Sequence, residues 1–138
     1  MFRKVEYFLF DILISILKIE EYIKDFNDPE ELKYDPKSWD ATIRELEVIG
    51  EATKHLIHHN IFDDSKREIV DFRNLITHHY FGIDEDIVWD IVTTHIKDLK
   101  TEILHEIDKS EQKNQLFDLF LEENKKVIFL FEKLKALR

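Results

Sequence analysis

An all-α fold is predicted, an antiparallel bundle of four to five helices, and three features of the sequence carry that prediction. Only two Gly and two Pro occur in 138 residues, too few turn formers for a multi-stranded sandwich or barrel and too few glycines for a phosphate-cradling loop. Hydrophobic residues make up 43% of the chain and include 11 Phe and 2 Trp, enough to bury a core beside the 36% that are charged. Apolar residues recur every three or four positions over most of the length, the pattern of helices that turn one face inward. The length suits one compact domain.

From Phe2 to Phe26 the apolar set Val5, Leu9, Ile12, Ile16, Ile19 and Ile23 marks the first helix, closed by Asn27-Asp28-Pro29. A linker with room for one helical turn follows. Asp35-Pro36 then starts a second helix, an acidic N-cap with Pro at the first helical position, running to about His59. Gly50 inside it costs about 1 kcal/mol of helix propensity, and a close helix–helix approach accounts for its presence. Asn60 ends that helix, and Asp63 or Asp64 caps a third carrying Ile69, Val70, Leu75 and Ile76 as far as Gly82, a C-terminal stop.

Asp84 caps the fourth helix, whose stripe Val88, Ile91, Val92, His95, Ile96, Leu99, Ile103 and Ile107 is the most regular in the chain. His95, lying in that stripe, reads as a hydrogen-bonded core or interface histidine. Residues 1–107 form the predicted helical domain, and 108–138 a C-terminal helical extension packed on the same domain. The apolar stripes on the first and last helices look wider than one bundle of this size needs, which points to a homodimer.

Charge and composition restrict the function. Thirty acidic against twenty basic residues give a net charge of −10, which repels phosphate backbones at long range. Any nucleic-acid activity must be local, and DNA coating is not expected. The absence of Cys removes disulfide scaffolds and thiol nucleophiles and favours a cytoplasmic protein. The apolar run Phe8–Ile19 is broken by Asp11 and Lys18 and is too short for a membrane span, and no signal-peptide pattern accompanies it.

The segment from Asp71 to Tyr80 gathers a cation, an amide, an imidazole and a phenol at one helix end: Arg73, Asn74, His78 and Tyr80. Such a set suits phosphoryl chemistry, since His can move a proton near neutral pH while Arg neutralises charge growing on phosphate. Asn74 and His78, four apart, share a helical face. Arg73 and His78, five apart, lie about 140° apart around a regular helix. They converge only by the reach of Arg, by loosening of the helix, or across a symmetric partner, of which the two-chain cleft is favoured. Lys66, Arg67 and Arg73 concentrate positive charge nearby and could guide RNA. His55 and His59, four apart without a third ligand, read as a solvated helix end rather than a metal pair. No metal or cofactor is expected. Trp39 and Trp89 read as core anchors.

The ordered run Arg73-Asn74, His78, Tyr80, then Phe81-Gly82-Ile83-Asp84 and Val88-Trp89, resembles the signature of HEPN-domain proteins of the HepT toxin family. The upstream block Arg44-Glu45-Leu46-Glu47-Val48-Ile49-Gly50-Glu51-Ala52 resembles a second block of the same family. The likeness spans roughly Asp11 to Ile107 and stops short of Asp108–Arg138. It departs at Asp63-Asp64-Ser65, where relatives often carry Pro-Trp. The resemblance implies a dimer of helical bundles acting as a metal-independent RNA endonuclease, with catalytic Arg73 and His78 of both chains lining a cleft and Asn74 in support. It further implies the toxin of a type VII toxin–antitoxin system, silenced when a minimal nucleotidyltransferase antitoxin of the MntA type adenylylates Tyr80. The rival reading is a non-catalytic helical subunit that binds such a nucleotidyltransferase.

Overall fold

The computed structural model describes residues 4–78 and 82–138, and all regular elements among them are helical. The first helix, α1 (Val5–Ile23), is the axis of the molecule. It buries Leu9, Phe10, Ile12, Leu13, Ile16, Leu17 and Ile19, more than a single stripe, because several elements cover it. One is α3 (Pro36–His58), another α6 (Ile96–Asp108), and a third α8 (Ile128–Leu137). The width of the α1 stripe is thus used within one chain. Its ends lie inside the predicted Phe2–Phe26, with Phe2 itself outside the described residues.

Asp28-Pro29, expected to close the first helix, instead opens the short α2 (Pro29–Lys33). The Asp28 carboxylate accepts the Glu31 N–H at 2.9 Å and Pro29 takes the first helical position, the arrangement that begins a helix rather than ending one. The start of α3 follows expectation, with Asp35 accepting from the Ser38 N–H at 3.2 Å. So does its end. Asn60 adopts a left-handed φ of 61°, and the Ile61 and Asn60 N–H groups reach back to the carbonyls of Leu56 and Ile57 at 2.9 and 3.0 Å, satisfying the last turn.

Asp63 accepts the Ser65 N–H and leads through a 3₁₀ turn, Asp64–Lys66, into α4 (Arg67–His78). Gly82, the expected stop, lies beyond residues 79–81, which are outside the described residues. Asp84 caps α5 (Glu85–Asp90) through the Asp86 N–H at 2.8 Å. A π-helical stretch, Ile91–His95, then joins α5 to α6. Trp39 and Trp89 pack against the core, as expected of anchors.

The chain ends in α7 (Lys113–Glu123) and α8. Phe117 and Phe120 of α7 lie against Phe10 of α1, one edge-on at 5.0 Å between ring centroids and one stacked at 4.8 Å. A buried polar pair sits in the α1–α3 seam, where the Ser15 hydroxyl donates to Glu45 at 2.9 Å.

Lys33 bonds Glu85 at 2.8 Å and ties α2 to α5. That hydrogen bond holds the Glu85 carboxyl below its usual range, and the same bond raises the Lys33 ammonium. A depressed carboxyl contributes stability above its ordinary range and loses it as pH falls through the lowered value, whereas Lys33 loses its share only in strong alkali. The melting-temperature gap between wild type and Lys33→Met should therefore narrow between about pH 6 and about pH 3. A gap constant with pH would show that the pair contributes nothing.

Candidate active site

Arg73 is placed by the residue it crosses. A Cβ built on Gly50 of α3 would stand 2.1 Å from the Arg73 Cβ and 2.6 Å from its Cγ. Only a glycine hydrogen leaves room for α4 to lie so close, which is the close approach expected of Gly50. The seated stem carries the guanidinium along α3. There Nη2 meets the Glu51 carboxylate at 3.1 Å, while Nη1 donates to the Asn74 side-chain oxygen at 3.0 Å. The Arg73 Nε is buried with no hydrogen-bond partner.

His78, the last residue of α4, is exposed. Because α4 is a regular α-helix through that position, loosening does not swing His78 round to Arg73, and the reach of Arg73 is directed toward Glu51. A contrast lies in the same chain. Asp90 and His95 are also five apart, and their side chains meet at 3.0 Å because they flank the π-helical stretch, whose i→i+5 bonding brings such residues toward alignment. That pairing gives His95 the hydrogen bond expected of it and corrects its placement in the core. It is exposed and faces Asp90 rather than the core, since the π turn rotates it out of the stripe that buries Val92, Ile96 and Leu99.

The structure thus brings Arg73, Asn74 and Glu51 together, while His78 is exposed at the end of α4. Tyr80, together with His79, lies outside the described residues. Sequence reasoning misses Glu51 as a site residue, and the signals that point to it are its place in the upstream block beside Gly50 and its i, i+4 spacing to His55. The second Glu51 oxygen stands 3.6 Å from His55 Nε2, and the His55 ring stacks on Phe8 with centroids 4.3 Å apart and planes 7° off parallel. His55 is therefore no solvated helix end. His59 is one: exposed, with Nδ1 on its own helix at the His55 carbonyl.

The cations near the site are each engaged by a carboxylate, Lys66 by Glu102 at 2.7 Å, Arg67 by Asp64 at 3.4 Å and Arg73 by Glu51. The positive field expected around the signature is largely neutralised. An apolar groove of about 440 Å³ runs beside Ile69 and Phe72, lined on its far side by Ile91 and Leu99, and neither Arg73 nor His78 lines it. Among the described residues no group of three or more His, Cys, Asp or Glu could hold a metal ion, and no helix is long and apolar enough to cross a membrane.

The chain is an all-helical bundle that carries a seated arginine, its amide neighbour and a terminal histidine on one helix. Residues 12–106 match the family described as ribonuclease HepT-like, and the chain belongs to that family, the class of enzyme that its motifs imply. It is 37% identical over 116 residues to a Methanocaldococcus jannaschii protein named "Putative RNase", covering 80% of this chain and 95% of the relative. It is 36% identical over 108 residues to "Probable ribonuclease HepT" of Thermococcus cleftensis, covering 72% and 93%. No solved structure matches the chain.

Proposed function

We propose that the protein is an RNA endonuclease acting through a site composed of two copies of the chain, with Arg73 as the phosphate-binding residue, His78 as the acid/base and Asn74 in support. The observation that supports this reading is the seat on Gly50, which holds the Arg73 stem at the α3–α4 seam, with His78 five residues on and about 140° further round a regular helix. That angular separation favours a site completed by a symmetric second copy. Leu75, 48% exposed beside Asn74, and Ile87, 49% exposed, offer apolar surface for that contact.

In this arrangement the imidazole of one His78 takes the proton of a ribose 2′-hydroxyl. The oxygen attacks the adjacent phosphorus, and the 5′-oxygen leaves with a proton supplied by the other His78, giving a cyclic phosphate and a free hydroxyl. Arg73 neutralises the charge growing on the phosphoryl oxygens. The nucleophile is the 2′-hydroxyl, so DNA is not a substrate.

Tyr80, two residues beyond His78, is the site at which a nucleotidyltransferase antitoxin adds AMP. The added phosphate places negative charge where substrate phosphate must sit and so restrains the toxin. Purified protein with Tyr80 shown by mass to be unmodified should cleave RNA in EDTA. Arg73→Ala and His78→Ala, shown to be folded, should lose about 10²–10⁴-fold in rate, and substrate with a 2′-deoxy sugar at the cut should resist. Absence of cleavage by the unmodified wild type would transfer the assignment to a non-catalytic subunit that binds a nucleotidyltransferase.

A further inference from the structure

A carboxylate beside the arginine that must bind phosphate works against binding, since it repels the substrate and offsets the positive charge. Its presence calls for a compensating role. Arg73 has five N–H donors. One on Nη1 goes to Asn74, Nε makes none, and Nη2 stands 3.1 Å from Glu51 as an ion pair with no directed hydrogen bond. Donors on both terminal nitrogens therefore remain for the oxygens of a phosphate. With the stem seated on Gly50 and the head held between Glu51 and Asn74, the guanidinium is fixed at three places before substrate arrives. The other Glu51 oxygen stands 3.6 Å from the ring of His55, which is stacked on Phe8.

We infer that Glu51 is a positioning residue for Arg73: it holds the guanidinium plane so that the free edge meets the scissile phosphate, and it gives up some affinity for RNA in doing so. This rests on the ribonuclease reading above. Fixing a bidentate group in its reactive geometry raises the rate of the chemical step, while a negative charge near the phosphate raises KM, so the two effects are separable.

Steady-state cleavage should show Glu51→Ala with kcat about tenfold lower and KM for RNA unchanged or reduced, and Glu51→Gln, which keeps an oxygen acceptor, within about threefold of wild-type kcat. A residue with only a structural part would not lower kcat and spare KM, nor be rescued by Gln. Nitrogen-15-edited spectra of the arginine side chains give a readout independent of turnover. The two Nη positions of Arg73 should be distinct in the cold for wild type and Glu51→Gln and averaged by rotation in Glu51→Ala.

Averaged signals in the wild type, or signals still distinct in Glu51→Ala, would overturn the assignment whatever the activity. If wild type cuts RNA, Arg73→Ala does not, and Glu51→Ala matches wild type, Glu51 has no positioning role and the ribonuclease reading stands. If wild type and Arg73→Ala behave alike, the ribonuclease reading fails, and the spectra alone decide whether Glu51 holds the guanidinium.

Discussion

Replacing Phe10 by Ala should remove about 4 kcal/mol of stability and lower the melting temperature by roughly 15 °C. Phe10 is wholly buried, as is Phe117, and its ring is stacked on Phe120 and edge-on to Phe117. Truncation removes a full aromatic side chain from water-free surroundings and leaves a void lined by two rings that cannot close it without moving α7. The aromatic contacts add about 1 kcal/mol beyond the area lost. Thermal and urea melts followed by circular dichroism measure the effect, with Ile128→Ala, at a site 75% exposed, as the control that should change little. A loss under about 1 kcal/mol for Phe10→Ala would mean that α7 does not pack on α1 as described.

Gly50→Ala should carry the second large effect, and in the direction opposite to helix propensity. Alanine in place of glycine within an exposed helix stabilises by about 1 kcal/mol. Here the added methyl meets the Arg73 Cβ at 2.1 Å, an atom bonded directly to the α4 backbone, so the helices must separate. A net loss of about 2 kcal/mol and roughly 8 °C is expected. RNA cleavage should fall further than stability alone accounts for, because separating the helices carries the guanidinium away from Glu51. Arg73→Gly opens the same contact from the other side, so adding Gly50→Ala to it should cost less than in the wild type, a coupling measurable in a double-mutant cycle. A higher melting temperature for Gly50→Ala would show that α3 and α4 do not approach at this point.

Much of the fold is legible in the sequence because it is made by bonds that span a few residues. Asp35 reaches the Ser38 N–H, Asp63 the Ser65 N–H and Asp84 the Asp86 N–H, and Asn60 turns left-handed on its own backbone. These are local choices, and residue type decides them. Gly50 is legible too, because a glycine inside a strong helical pattern sacrifices propensity that a close helix contact offsets. Asp28-Pro29 shows where local signals become ambiguous, since an aspartate before proline can follow one helix and begin the next. Its carboxylate settles the matter by accepting from Glu31.

By itself the sequence determined the all-helical class, the helix starts capped by Asp35, Asp63 and Asp84, and the family to which the chain belongs, because caps, periodicity and motif order are properties of neighbouring residues. Only the tertiary structure decided which side chains meet. Glu51 reaches Arg73 because α3 and α4 lie at one rotational register across Gly50. His95 turns outward because a π stretch shifts the register within one helix. The broad apolar face of α1 is covered by α3, α6 and α8 of the same chain. Register between helices depends on packing over the whole bundle, and no local spacing contains it.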